Sequence, residues 1–291
     1  MKDLTSPSIA ILGLGAIGTL LAFHWRNHSP FCISRNRDNC QRQITDLQQQ
    51  SHQLQLEYWD HQPVDWLVVT TKASDTLAAL KPLQTKLHLV KRVLLLQNGM
   101  GQQQEVADWL SQQPQSPELW AGISTEGAYR SNPEQVVYAG AGETVIGRWN
   151  SDQKKQPDSQ LNNTQIVSDI RQRITAKLAI NAVINPLTAI HRCRNGELVK
   201  NPEYHQQLQK LADETQQFFQ KQDWLLSFDL KQRAAEVATA TGNNRSSTLQ
   251  DVLNHQPTEL AYINGYLWRL AQQQQYPLPI TRQILEELGE I

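Results

Sequence analysis

The 291 residues are enough for two domains with a full hydrophobic core, and 27 Lys+Arg against 28 Asp+Glu leave a net charge of −1. That balance excludes the basic footprint of a nucleic-acid-binding surface. No apolar stretch reaches membrane-spanning length, because Asn181 and Asn185 interrupt the best candidate, 178–187.

Three scattered cysteines (Cys32, Cys40 and Cys193) without a C-x-x-C pair fit reduced thiols and a cytoplasmic protein. His191-x-Cys193 is isolated, so no metal site is expected. The glutamine tracts, such as Gln48-Gln49-Gln50, are brief and read as solvated helix surface or loop.

In chain order, Ile9-Ala10-Ile11-Leu12 reads as a buried parallel strand that breaks into Gly13-Leu14-Gly15-Ala16-Ile17-Gly18. A helical pattern follows over 19–25. In this G-x-G-x-x-G, Gly13 permits a tight turn, Gly15 admits a pyrophosphate to the backbone, and Gly18 lets helix and strand pack closely. A diphosphate would sit at the helix N-terminus, where N–H groups and the dipole favour an anion. The alternative is a glycine-rich turn without a ligand. A second strand is expected over 30–34. Where an NAD site carries an acidic residue for the ribose, about 20 residues past the glycines, this chain has Ser34-Arg35-Asn36-Arg37. A guanidinium there suits a 2′-phosphate, so NADP(H) is expected, with Arg35 the first contact and Arg37 the second.

Further strands are expected over 65–71, 92–96 and 119–124, with helices over 75–87 and 102–111 between them. This alternation predicts a parallel, doubly wound sheet covered on both faces. Ligands bind past the carboxyl ends of such strands, the edge at which Lys72, Asn98 and Gly127 fall. Each of the three is otherwise an ordinary loop residue. Two short runs, 136–138 and 143–146, read as a hairpin closing the first domain. The polar stretch 150–163 reads as a linker. The expected division is therefore 1–163, an NADP-binding Rossmann-type α/β domain, and 164–291, all helical.

In the second part, the run 177–187 is apolar almost all round, which predicts a buried helix. Yet Lys177, Asn181 and Asn185 stand at i, i+4 and i+8 and share one face. Such a stripe must meet polar groups, water or a ligand. It is either a packing stripe against another helix or a lysine desolvated to make a useful acid. Asn195-Gly196-Glu197 starts a new helix, and 243–248 is a cap-rich turn. Thr258 reads as the N-cap of a last long helix running to about residue 270, which would leave Glu259 to complement its dipole.

These residues carry a resemblance to the ketopantoate reductase (2-dehydropantoate 2-reductase) family over essentially the whole chain. The matching motifs are the glycine turn, Thr71-Lys72-Ala73, Asn98-Gly99-Met100-Gly101, the Lys-x-x-x-Asn-x-x-x-Asn-Pro-Leu-Thr-Ala core from Lys177, and Asn195-Gly196-Glu197-Leu198. Ser246-Ser247 with Gln250-Asp251, and Glu259 with Tyr262-Ile263-Asn264-Gly265, complete the set. The resemblance implies a 6-phosphogluconate-dehydrogenase-like fold and NADPH-dependent reduction of ketopantoate to pantoate, in pantothenate and coenzyme A biosynthesis. It implies Lys177 as proton donor. It also implies Asn181, Asn185, Asn195, Asn244, Ser246 and Ser247 as substrate contacts, and Lys72, Asn98, Gly127 and Glu259 as cofactor-side and active-site polar groups. Glu259 would keep the Lys177 ammonium protonated. The expected partners are a small 2-keto acid and, at most, a second copy of the chain, with no nucleic acid and no membrane.

Three features depart from the family pattern: a short segment near 150–163, Ala261 where an acid is frequent, and Thr175 where an aromatic is frequent. They leave open a related reductase of another branched 2-keto acid. A non-catalytic NADP-binding regulator would have lost the Lys177/Glu259 pair, which is present. A histidine-based dehydrogenase would need His191, which has no evident carboxylate to orient it.

Overall fold

The computed structural model describes residues 6–150 and 161–291, so most of the expected linker, 150–163, lies outside the described residues. The chain divides into two compact units, one of Met1–Gln97 with Gln102–Ile170, the other of Asn98–Gly101 with Arg171–Ile291. The first unit thus runs on to Ile170 rather than ending at 163.

In the first unit the elements follow as β1 (Ile9–Leu12), α1 (Ala16–His24), β2 (Phe31–Ile33), β3 (Cys40–Thr45), β4 (Ser51–Leu56), β5 (Val64–Val69), α2 (Thr76–Leu80), β6 (Val90–Leu95) and α3 (Gln102–Ser111). They continue as β7 (Glu118–Ser124), β8 (Gly127–Arg130), β9 (Gln135–Gly140), β10 (Thr144–Arg148) and β11 (Thr164–Ile166). Seven strands form one sheet in the order β11-β10-β7-β6-β5-β1-β2. From β7 to β2 all neighbours are parallel, as the alternation of strands and helices required. All four β1 residues are buried, which is why that strand is a continuous apolar run rather than an alternating one. Trp66 and Trp120 meet edge to face on the sheet, with ring centroids 5.2 Å apart.

Three expectations need correction, and one feature is new. The sheet is not wholly parallel, since β10 runs antiparallel to β7 and β11 extends it parallel to β10. The expected hairpin does not form. β9 pairs with β8 and β3, whereas β10 joins the large sheet, where the Thr125 N–H donates to the Glu143 carbonyl at 2.9 Å. The glycine-rich connector between them is thus a crossing between two sheets. The helix expected over 75–87 is α only over Thr76–Leu80, and Lys81–Leu89, with Pro82 near its start, winds as 3₁₀. A four-stranded second sheet, β4-β3-β9-β8, was not expected at all.

The second unit is helical: α4 (Ile170–His191, of which the first residue groups with the sheet unit), α5 (Glu197–Lys200), α6 (Pro202–Lys221), α7 (Leu230–Ala240), α8 (Ser247–Leu253), α9 (Asn264–Gln273) and α10 (Pro279–Glu287). The caps are local chemistry. The Asn201 side chain accepts from the Glu203 and Tyr204 N–H groups before Pro202 opens α6, and Asp229 caps α7. The Glu214 carboxylate accepts from the Ile280 and Thr281 N–H groups at 2.8 and 2.7 Å, closing the start of α10 from a neighbouring helix. The last long helix is also corrected. A 3₁₀ turn at Leu260–Tyr262 precedes α9, and Ile263 at φ −106°, ψ −94° separates the two.

Candidate active site

The dinucleotide end of the first unit is built from backbone. Gly13 sits at φ +102°, and a Cβ there would lie 2.8 Å from the Thr71 nitrogen. A Cβ on Gly18 would lie 2.1 Å from the Gly13 carbonyl oxygen, so only glycine lets α1 start this close to β1. Around Gly15 a Cβ would meet nothing within 4 Å, leaving open space over the turn where Leu14, Ala16 and Ile17 also lie. No side chain caps α1 and its first turn carries no acid, so its leading N–H groups suit an anion. These are observations that fit a dinucleotide diphosphate. Arg35 is exposed beyond β2, and Arg37 is held at φ +60° in the same turn. Lys72 follows β5 and Gly127 opens β8, paired with Gly140, so both stand past the carboxyl ends of parallel strands.

Behind this rim is a buried carboxylate. Glu126 accepts from His24 at 2.7 Å, Tyr138 at 2.8 Å and Thr144 at 3.2 Å. Burial alone would raise its pKa and make it a weaker acid. The hydrogen bonds from His24, Tyr138 and Thr144, together with the charge on His24, reverse this and hold the carboxyl below its usual range.

The helical unit carries the polar stripe. Lys177, Asn181 and Asn185 lie along α4, partly buried at the first two positions and buried at the third. Burial drives the Lys177 ammonium down to about 8, and the negative charge of Glu259 opposes the shift. Neither the Asn181 nor the Asn185 carboxamide is hydrogen-bonded to another described residue.

The segment Asn98–Gly101, although it follows β6, groups with this unit. The Asn98 Nδ2 donates to the Glu259 carboxylate at 3.1 Å, and the Met100 N–H donates to the Tyr262 carbonyl at 2.8 Å. Gly99 is at φ +86°, and a Cβ there would lie 2.3 Å from that same carbonyl oxygen, so glycine is obligatory. The Thr175 hydroxyl reaches the Met100 sulfur at 3.9 Å. Lys177, Asn98 and Glu259 therefore belong to one packed region of one unit.

The remaining expected contacts gather around the other end of α4. The Asn195 N–H donates to the Asn244 carbonyl at 3.0 Å, and its Nδ2 to Thr241 at 2.8 Å, leaving a buried Oδ1 without a partner. The Ser246 hydroxyl caps α8 by accepting from the Leu249 N–H at 3.0 Å and lies 2.7 Å from the Thr188 hydroxyl. It is buried, whereas Ser247 and Asn244 are exposed.

Asn264 is the residue whose role sequence reasoning missed. Pro186 interrupts α4 and has no N–H for the carbonyl of Ala182, four residues back. The buried Asn264 Nδ2 supplies that hydrogen bond at 2.9 Å. A proline inside an otherwise apolar helix was the available signal.

Comparison with known proteins bears on the whole chain. Residues 9–151 match the family described as ketopantoate reductase PanE/ApbA, and residues 169–291 match its C-terminal domain. The 2-dehydropantoate 2-reductase of Vibrio cholerae is 30% identical over 97% of this chain and 96% of its own length. That of Archaeoglobus fulgidus is 33% identical over 78% and 77%. Among solved structures, a probable 2-dehydropantoate 2-reductase from Bacillus subtilis superposes with a TM-score of 0.77 at 23% identity, covering 97% of this chain and 99% of the other. D-mandelate dehydrogenase in complex with NADH and anilino(oxo)acetate gives a TM-score of 0.81 at 21% identity, covering 97% of each chain. With both of its halves matched, this chain is a member of the ketopantoate reductase PanE/ApbA family.

Proposed function

We propose that this chain is an oxidoreductase that reduces 2-dehydropantoate to pantoate with NADPH. The observation that carries the reading is Lys177, an ammonium lowered to about 8 on a helix face whose two carboxamides are left available, within a chain that matches 2-dehydropantoate 2-reductases over nearly its full length. A bound reduced nicotinamide supplies the hydride. The chain's own residues do the rest. As negative charge develops on the ketone oxygen, the Lys177 Nζ stabilises it and then delivers a proton. Glu259, with Asn98 bonded to its carboxylate, favours the charged form of that lysine. Asn181 and Asn185 offer donors and acceptors to the carboxylate and hydroxyl of the substrate without adding charge near the carbonyl. The glycine turn and the α1 N-terminus hold the diphosphate, and Arg35 reads the 2′-phosphate.

The test is to follow NADPH oxidation with ketopantoate beside other branched 2-keto acids, and to repeat it with NADH. Turnover of ketopantoate above the other acids supports the reading. Preference for another keto acid would identify a reductase of the same chemistry, a reading favoured by the shared fold of the D-mandelate dehydrogenase bound to NADH. Preference for NADH would overturn the assignment of Arg35.

A further inference from the structure

Two arginines outside the expected site stand close together on the second sheet, and one of them reaches the glycine turn. Val136 lies opposite both Arg130 and Ile44, so these share a face, and Arg42, two positions before Ile44, shares it too. It is the face packed on α1, since Ile44 and Val136 are buried in one cluster with Leu20 and Phe23. Arg42 reaches the start of that helix, where its Nε donates to the Leu14 carbonyl at 3.4 Å.

Otherwise the two guanidiniums touch only backbone. Arg42 donates to the Gln41 carbonyl at 2.6 Å and Arg130 to the Pro133 carbonyl at 3.1 Å. Neither forms an ion pair with a described residue. Burial and the nearby charge of Arg42 hold Arg130 below its ordinary basicity. Two like charges therefore lie close together, one of them at the start of α1, and neither is held in an ion pair by a described residue. Such a concentration is relieved by an anion. The planar fork of arginine matches a phosphate monoester, which can be shared by two guanidiniums. The location selects among phosphates. The diphosphate is served by α1 N–H groups, whereas Arg42 stands in β3, the strand that follows the Arg35 turn, where the chain reads the adenosine ribose.

We propose that Arg42 and Arg130 form a second receptor for the cofactor's 2′-phosphate, beside the glycine turn and additional to Arg35. This rests on the NADP reading above and deepens it.

The experiment is calorimetric titration of the full chain, without substrate, using adenosine 2′,5′-bisphosphate, adenosine 5′-monophosphate and inorganic phosphate. Wild type is compared with Arg35→Gln, Arg42→Gln, Arg42→Lys and Arg130→Gln. Arg42→Gln and Arg130→Gln should each weaken the bisphosphate by roughly tenfold or more, the scale of a lost charged hydrogen bond, with the monophosphate unchanged. Arg42→Lys should recover only part of the loss, because the fork is gone. Thermal melting separates a binding role from a structural one. Without ligand, Arg42→Gln should melt no lower than wild type because a like-charge contact is removed, and it should lose most of the melting shift that the bisphosphate gives. Unchanged bisphosphate affinity in both glutamine variants, or a lower ligand-free melting temperature in Arg42→Gln, overturns the proposal. If wild type binds both nucleotides equally, the NADP reading itself fails. If wild type prefers the bisphosphate and Arg35→Gln alone removes that preference, only the present inference fails. Inorganic phosphate binding equally well to wild type and to Arg42→Gln would likewise count against a receptor at this place.

Discussion

Two buried polar groups, one in each unit, are built on opposite principles. Glu126 is surrounded by donors, and its carboxylate is more acidic than usual despite its burial. Lys177 is desolvated further than its acidic neighbour Glu259 offsets, and the carboxamides along its helix face have no described partner. A folded chain gains stability by satisfying a buried charge and loses it by leaving one under-compensated. The first arrangement therefore belongs to the scaffold. The second costs stability, which fits its proposed place as the site of the chemistry.

The largest effect that would break this contrast is on turnover. Lys177→Ala should lower kcat by roughly 10²–10⁴-fold, the range for a lost general acid, with NADPH affinity nearly unchanged. Steady-state kinetics and a cofactor titration check both halves, and an unaltered kcat would remove the proposed acid. The same lysine sets a pH dependence. Its protonated form is lost as pH rises through about 8, so kcat should fall there in wild type. Its effect on stability has the opposite sign. The folded value lies below the usual 10.5, so between about 8 and 10.5 the unfolded chain binds more protons and this group raises stability with increasing pH. Melting of wild type against Lys177→Met across that window measures the difference.

Next in size is the satisfied carboxylate. Glu126→Leu should destabilise the protein by about 1–3 kcal/mol, because His24 and Tyr138 lose their acceptor, with kcat for bound substrate little changed. With the wild-type carboxyl held below its usual range, the stability it contributes is present above that range. It is lost as pH falls through the lowered value. Denaturant unfolding at neutral and acid pH tests this, and a large kcat loss would show that Glu126 is more than scaffold. Asn264→Ala removes the donor that replaces the missing Pro186 N–H, and should cost about 1–3 kcal/mol by the same measurement. The smallest structural effect is expected at Asn181. Asn181→Leu should leave melting unchanged or slightly raised while lowering kcat/KM, the reverse of Glu126→Leu.

The contrast also explains what was legible in the sequence. The glycine turn was readable because each glycine answers a steric demand a few residues away. The α4 stripe was readable because helical period alone places Lys177, Asn181 and Asn185 on one face. The second sheet was hidden by composition. β4 reads Ser-His-Gln-Leu-Gln-Leu, and only Leu54 and Leu56 are buried, a two-residue alternation obscured by glutamine. The false hairpin came from judging β9 and β10 by the glycines between them, whereas β10 is held by β7 far back in the chain. Long-range partners of this kind, like the Asn264 side chain on the Ala182 carbonyl, leave no local pattern to read.

The membership of Asn98–Gly101 in the helical unit limits how this polypeptide can be divided. A fragment starting at Arg171 would hold α4 and every helix after it, yet would lack the peptide whose amide docks on Tyr262 and whose asparagine docks on Glu259. Expressing the helical half alone would therefore leave the surroundings of Glu259 and Tyr262 incomplete, and adding back a synthetic Asn-Gly-Met-Gly peptide would have to overcome the entropy that covalent continuity with the sheet removes. Ribosomal synthesis makes that tetrapeptide long before its partners emerge, so the site is finished only when the second half of the chain folds around a piece of the first.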